Sequence, residues 1–164
     1  RGHKDSIFSL VVGDGTVGGF FIYTKDKKIP AGCLPKTDSK VLILKDEHRP
    51  GERSTLAYLE WAVEQGYLTA GDLLLMDNET SFKTEFVQDF LNDQNIEFEY
   101  FPAYRGSIMN PCDNSFHNNF KQKYYAMLID KTSLTKEQKF KFAREAYFDV
   151  QEKSIVKMFK HIKR

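Results

Sequence analysis

Residues 73–121 read LLLMDNETSFKTEFVQDFLNDQNIEFEYFPAYRGSIMNPCDNSFHNNFK. An apolar strand, residues 73–76, stops at Asp77. A second acid, Asp113, opens a helix after a loop marked by Pro102, Gly106 and Pro111. Thirty-five residues, 78–112, separate the two acids. Acids at the ends of two elements can converge on one cation. Carboxylate oxygens suit Mg²⁺ or Mn²⁺, and phosphoryl transfer uses such ions to activate one oxygen and stabilise another.

Working outward, the same stretch supplies its own scaffold. Phe86, Val87, Phe90 and Leu91 make an apolar face on a helix over 83–92, and residues 96–101 alternate as a strand. Helix resumes over 113–128. Upstream, residues 7–12 and 17–23 form two apolar runs about Asp14-Gly15, a hairpin signal, with Gly18-Gly19 hinting at a bulge or close packing. Residues 40–44 form another short strand, and Ser54 or Thr55 can cap a helix through about residue 65. Downstream, Thr135 and Gln138 make a capping box that opens a helix to about residue 150. A last amphipathic helix over 152–163 puts Ile155, Phe159 and Ile162 on one face. The order predicts an α/β fold: a mixed sheet with an antiparallel hairpin first, then parallel strands at residues 73 and 96, and flanking helices. Ligand sites in open sheets sit at the carboxyl ends of strands, where Asp77 lies.

Composition sets the outer bounds. At 164 residues, 41% apolar and 14% aromatic, the chain fits a single globular domain. The net charge of +1 does not announce a nucleic-acid binder, but its distribution is uneven. Residues 131–164 hold ten Lys/Arg against four Asp/Glu, while residues 72–113 are acidic. A basic tail beside an acidic site suits a polyanion approaching a metal centre, and equally suits a solvated helix face. Two cysteines, Cys33 and Cys112, without a CxxC pair exclude a disulfide framework or zinc ribbon and read as free thiols. No apolar run approaches a membrane helix, and no signal peptide is visible. The chain starts at Arg1 without an initiator Met, as expected of a fragment.

Taken alone, Asp77-Asn78 also reads as a turn or an Asx cap, Asp113 as a helix N-cap, and His117 as a surface residue. The phenylalanines at 86, 90, 116, 120, 140, 148 and 159 read as core. Together the motifs are more specific. The Asp77-Asn78 strand end, the run Tyr100, Pro102, Tyr104, then Asn110, Pro111 and Asp113, and Phe116 and Lys121 on the next helix resemble the catalytic domain of mariner-type DDE/D transposases, the DDE superfamily endonucleases of RNase H-like, integrase-like fold. Phe82 stands where that family often carries a histidine.

The resemblance implies DNA strand cleavage and strand transfer by two-metal phosphoryl transfer. Asp77 and Asp113 are the implied catalytic and metal-binding pair for two Mg²⁺ or Mn²⁺ ions. Double-stranded DNA, both transposon ends and target, is the implied partner, in a nucleus or a bacterial cytoplasm, with a homodimer compatible. Tyr104, Arg105, Lys121, Lys153, Lys157, Lys160 and Lys163 are the candidates for holding the duplex through its phosphates. The family's first acid, on its central strand, would fall upstream of Arg1. Asp5, Asp14 and Asp46 are poorly placed to replace it, so the expectation is a chain lacking that strand and acid, with the hairpin's inner edge open to a partner. Two rival readings follow: a domesticated, inactive transposase domain that binds DNA or protein, and a nuclease acting on an RNA/DNA hybrid or junction.

Overall fold

The computed structural model describes residues 6–13, 18, 20–24, 41–45, 52–103, 109–150 and 152–161. Within them, three strands come first, strands and helices then alternate, and the chain ends in helices. Strand β1 (Ser6–Phe8) runs antiparallel to β2 (Phe20–Thr24), with Ser6 opposite Tyr23. Strand β3 (Val41–Lys45) runs parallel to β2. The Asp14-Gly15 turn that would make β1 and β2 a hairpin lies outside the described residues, as do Asp5, Asp46 and Cys33. Close packing does occur at Gly18: a Cβ there would stand 2.8–2.9 Å from three side-chain carbons of Leu10. Gly18 N–H also donates to Leu10 O at 2.7 Å.

Helix α1 (Glu52–Glu64) starts earlier than the expected cap. Ser54 and Thr55 are buried inside it, at 2% and 1% exposure, so neither serves as its cap. The helix ends on Gly66 at φ +82°. Gly66 N–H bonds Val63 O and Tyr67 N–H bonds Ala62 O, the paired closure that a left-handed residue permits. Strand β4 (Leu73–Met76) pairs in parallel with β5 (Glu97–Tyr100), Leu73 facing Glu97 and Met76 facing Tyr100. Helix α2 (Glu85–Asp93) lies between them in sequence, and the Thr84 hydroxyl caps it by accepting Val87 N–H at 3.4 Å.

The one mixed sheet expected from the sequence is not formed among the described residues. β1–β3 and β4–β5 are separate sheets. Strand periodicity reports which face is buried; it carries no information on which edge a strand joins.

Downstream, a π-helical turn (Cys112–Phe116) runs into α3 (His117–Leu128), followed by α4 (Lys136–Phe148), α5 (Glu152–Met158) and a 3₁₀ turn (Phe159–His161). The Thr135–Gln138 capping box is present in full.

The buried residues form two separate cores. Tyr58, Leu59, Ala62, Leu74, Met76, Val87, Leu91 and Ile96 form the first, against α1 and α2. Phe116, Phe120, Ala146, Tyr147, Ile155 and Met158 form the second, among α3, α4 and α5. Leu10 packs on the first and its neighbour Val11 on the second, as the two-residue period of extended chain demands.

Phe86 belongs to neither core. It is 67% exposed. Val87 and Leu91 occupy the inward stripe of α2, four residues apart, and Phe86 sits one residue, about 100° of helix, away from it. No helix among the described residues is long and apolar enough to cross a membrane.

Candidate functional site

The site is built at the carboxyl end of β4. Leu74 and Met76 bury their side chains in the first core, which anchors the strand and leaves the next residue, Asp77, half-buried at its end. Asp77 lines a cleft of about 220 Å³ together with Ser9, Tyr58, Leu75, Phe82, Asn110, Cys112 and His117. The wall is mostly apolar, so a carboxylate here meets a lower dielectric than at an open surface. Phe82, five residues beyond Asp77, contributes to that wall. Its carbonyl accepts the Tyr100 hydroxyl at 2.8 Å, which ties the end of β5 to the turn after Asp77.

The helical end of the site comes from the Asn-Pro motif. Asn110 Oδ1 accepts Cys112 N–H at 3.0 Å. Asn110 Nδ2 donates to Asp77 Oδ1 at 2.9 Å. One side chain therefore spans from the strand end to the helix start. Asp113 follows Cys112 within the π-helical turn. Its side chain lies outside the described residues. Insertions of this type into a helix are found disproportionately at functional sites, because the extra residue re-aims the side chains of one turn. Nothing in the residue pattern announces the insertion, since the apolar spacing of Phe116 and Phe120 is that of an ordinary helix.

His117 is not a surface residue. It is partly buried, and its Nε2 shares a 3.0 Å hydrogen bond with Ser9 Oγ. Burial holds its pKa below the usual histidine value, the Lys121 charge one turn along acts in the same direction, and the Asp77 carboxylate opposes both. Ser9 was not legible as a site residue: it stands 108 positions from its histidine partner, in an apolar run. Cys112 stands with its thiol 4.0 Å from Ser9 O.

The other candidates are dispersed. Lys121 is exposed on α3, Lys153 and Lys157 are exposed on α5, and Lys160 is exposed on the 3₁₀ turn. Tyr104, Arg105 and Lys163 lie outside the described residues. Glu79 is exposed before the turn Thr80–Phe82 and makes no capping bond. The donor chemistry of Asp77 fits a hard divalent cation. Among the described residues, however, no group of three or more His, Cys, Asp or Glu converges, so those donors do not form a full cage.

The profile of the DDE superfamily endonuclease family matches residues 55–163, which is most of the chain and contains both acids. The chain belongs to this family. The match starts inside α1 and ends past α5, so the cleft end of β4, the Asn-Pro motif and the second core all fall within it. Strands β1–β3 precede it. Among curated proteins, none matches the chain. Membership makes this a transposase-type endonuclease domain of mixed α/β architecture, and DNA is the substrate class of the family.

Proposed function

We propose that this chain is the catalytic domain of a mariner-type DDE/D transposase, with an RNase H-like fold, and that Asp77 and Asp113 are its metal-binding, catalytic pair. The observation that carries this reading is the Asn110 bridge. It joins the strand-end acid to the residue immediately before the helix-start acid, inside the region matched to the family. Two divalent ions bound there would activate a water or 3′-hydroxyl and stabilise the leaving 3′-oxygen in an in-line displacement at phosphorus.

The residues of the chain supply the rest. Asp77 offers one oxygen to Asn110 and keeps a second for a cation. Leu75, Phe82 and Tyr58 keep the cleft apolar, which strengthens each charge interaction within it. Lys153, Lys157, Lys160 and Lys163 hold the duplex through its phosphates without reading sequence, and Tyr104, Arg105 and Lys121 add contacts to the DNA backbone.

The test is titration calorimetry with Mn²⁺ on the wild type, Asp77→Ala and Asp113→Ala. Each substitution should weaken binding severely. Equal binding by wild type and Asp77→Ala would remove Asp77 from the ligand set. A second reading rests on the lack, among the described residues, of three converging metal donors: a transposase-derived domain that binds DNA or protein and no longer cleaves. Salt-sensitive DNA binding without Mn²⁺ binding by the wild type would favour it.

A further inference from the structure

Asn110 is 8% exposed, and both ends of its amide are engaged. The orientation of that amide is determined by its neighbours. A main-chain N–H only donates and an ionised carboxylate only accepts, so Oδ1 must face Cys112 and Nδ2 must face Asp77. The first bond is a helix cap. Asn110 precedes Pro111, whose missing N–H is harmless at the first helical position, and the cap accepts from the next residue along. The second bond serves no capping purpose. It reaches across 33 residues of chain to a carboxylate in the cleft.

We propose that Asn110 is the positioning residue of the site, an inference that rests on Asp77 being a metal ligand. It ties the rotamer of Asp77 to the helix that carries Asp113 and commits Oδ1 to the amide, leaving Oδ2 as the cation-facing oxygen. The donor must be neutral. A lysine or arginine here would cancel the carboxylate's charge and compete with the cation, whereas an amide fixes direction and leaves the charge intact. It must also be bifunctional. Aspartate and serine cap helices about as well as asparagine, but aspartate would set oxygen against oxygen at Asp77, and the serine side chain is too short to span the gap.

Capping and positioning are therefore separable. Asn110→Ser keeps the cap and drops the bond to Asp77. It should still unfold cooperatively, with a urea midpoint only modestly lowered by the lost bond, while its Mn²⁺ affinity by calorimetry should fall about tenfold or more, the scale seen when partners of metal ligands are removed. In the double variant with Asp77→Ala the loss should not exceed that of Asp77→Ala alone, because both act through one oxygen pair. The metal-free wild type gives a second readout: the Asn110 side-chain amide resonances should shift and exchange faster in Asp77→Ala. A folded Asn110→Ser with wild-type Mn²⁺ affinity, additive losses in the double variant, or Asn110 amide signals indifferent to Asp77→Ala would each overturn the role of Asn110. Absence of Mn²⁺ binding by the wild type would instead sink the metal reading on which the role depends.

Discussion

Two side chains reach one cleft by different routes: Asp77 ends a strand, and His117 begins α3. The histidine's lowered pKa has a consequence with a definite sign. The native state favours the neutral ring, while the unfolded chain protonates near the ordinary value of 6.5. Above that pH the neutral ring costs nothing, and its contribution to stability is fully present. As pH falls from about 6.5 through the lowered native value, the unfolded chain takes up the proton first and that contribution is lost. The urea unfolding midpoint of the wild type should therefore drop between pH 7.5 and 5.5 by more than that of His117→Gln. Identical pH dependence in the two proteins would mean that the ring feels no burial. The partner of that ring, Ser9, and the apolar wall from Leu75 and Phe82 are contacts that form only when distant segments pack.

Among the elements, α5 shows how a pattern divides a helix between two tasks. Ile155 is fully buried and Met158 nearly so, while Lys153 and Lys157 are exposed on the same helix and Lys160 on the turn after it. If these lysines carry DNA, replacing Lys153, Lys157, Lys160 and Lys163 by alanine should flatten the slope of log affinity against log salt by about 3 to 4, at about 0.9 per phosphate contact. Core packing through Ile155 would be untouched. An unchanged slope would assign these lysines to solvation alone and move the DNA path toward Lys121. Helix α2 shows the opposite case. Its four apolar residues cover a wider arc than its neighbours can bury, so Val87 and Leu91 go inward and Phe86 is left outside.

At the scale of the whole molecule, the two cores meet through the extended segment after β1. Tyr147, fully buried on α4, accepts Leu10 N–H with its hydroxyl at 3.2 Å, a link across 137 residues. Its ring packs edge-on against Phe116 at 5.2 Å and Phe120 at 6.1 Å. Burial raises the phenol's pKa well above its usual value, so the group stays neutral throughout the physiological range. Tyr147→Phe keeps the ring and removes the link. It should cost about 1 kcal/mol of stability, and hydrogen exchange at the Leu10 amide should accelerate relative to the amides of α1. Equal protection of Leu10 in both proteins would show that the segment is held by other contacts.

What the sequence determined by itself was local: helices and strands where apolar spacing, caps and turn residues agree, such as the Thr135–Gln138 box, the apolar face of α2 and the parallel strands about residues 73 and 97. The family was legible too, because Asp77-Asn78 and Asn110-Pro111-x-Asp113 are short motifs whose spacing survives without knowledge of the fold. These features depend on interactions within a few residues, which the order of residues encodes directly. The tertiary structure decided the rest. It separated β1–β3 from β4–β5, sent Ser54 and Thr55 into the core instead of a cap, drew His117 inward to Ser9, and gave Asn110 its second partner. Each of these depends on which surfaces are left to bury or to satisfy once distant segments meet, and a side chain that can both donate and accept carries no mark of which distant group will claim it.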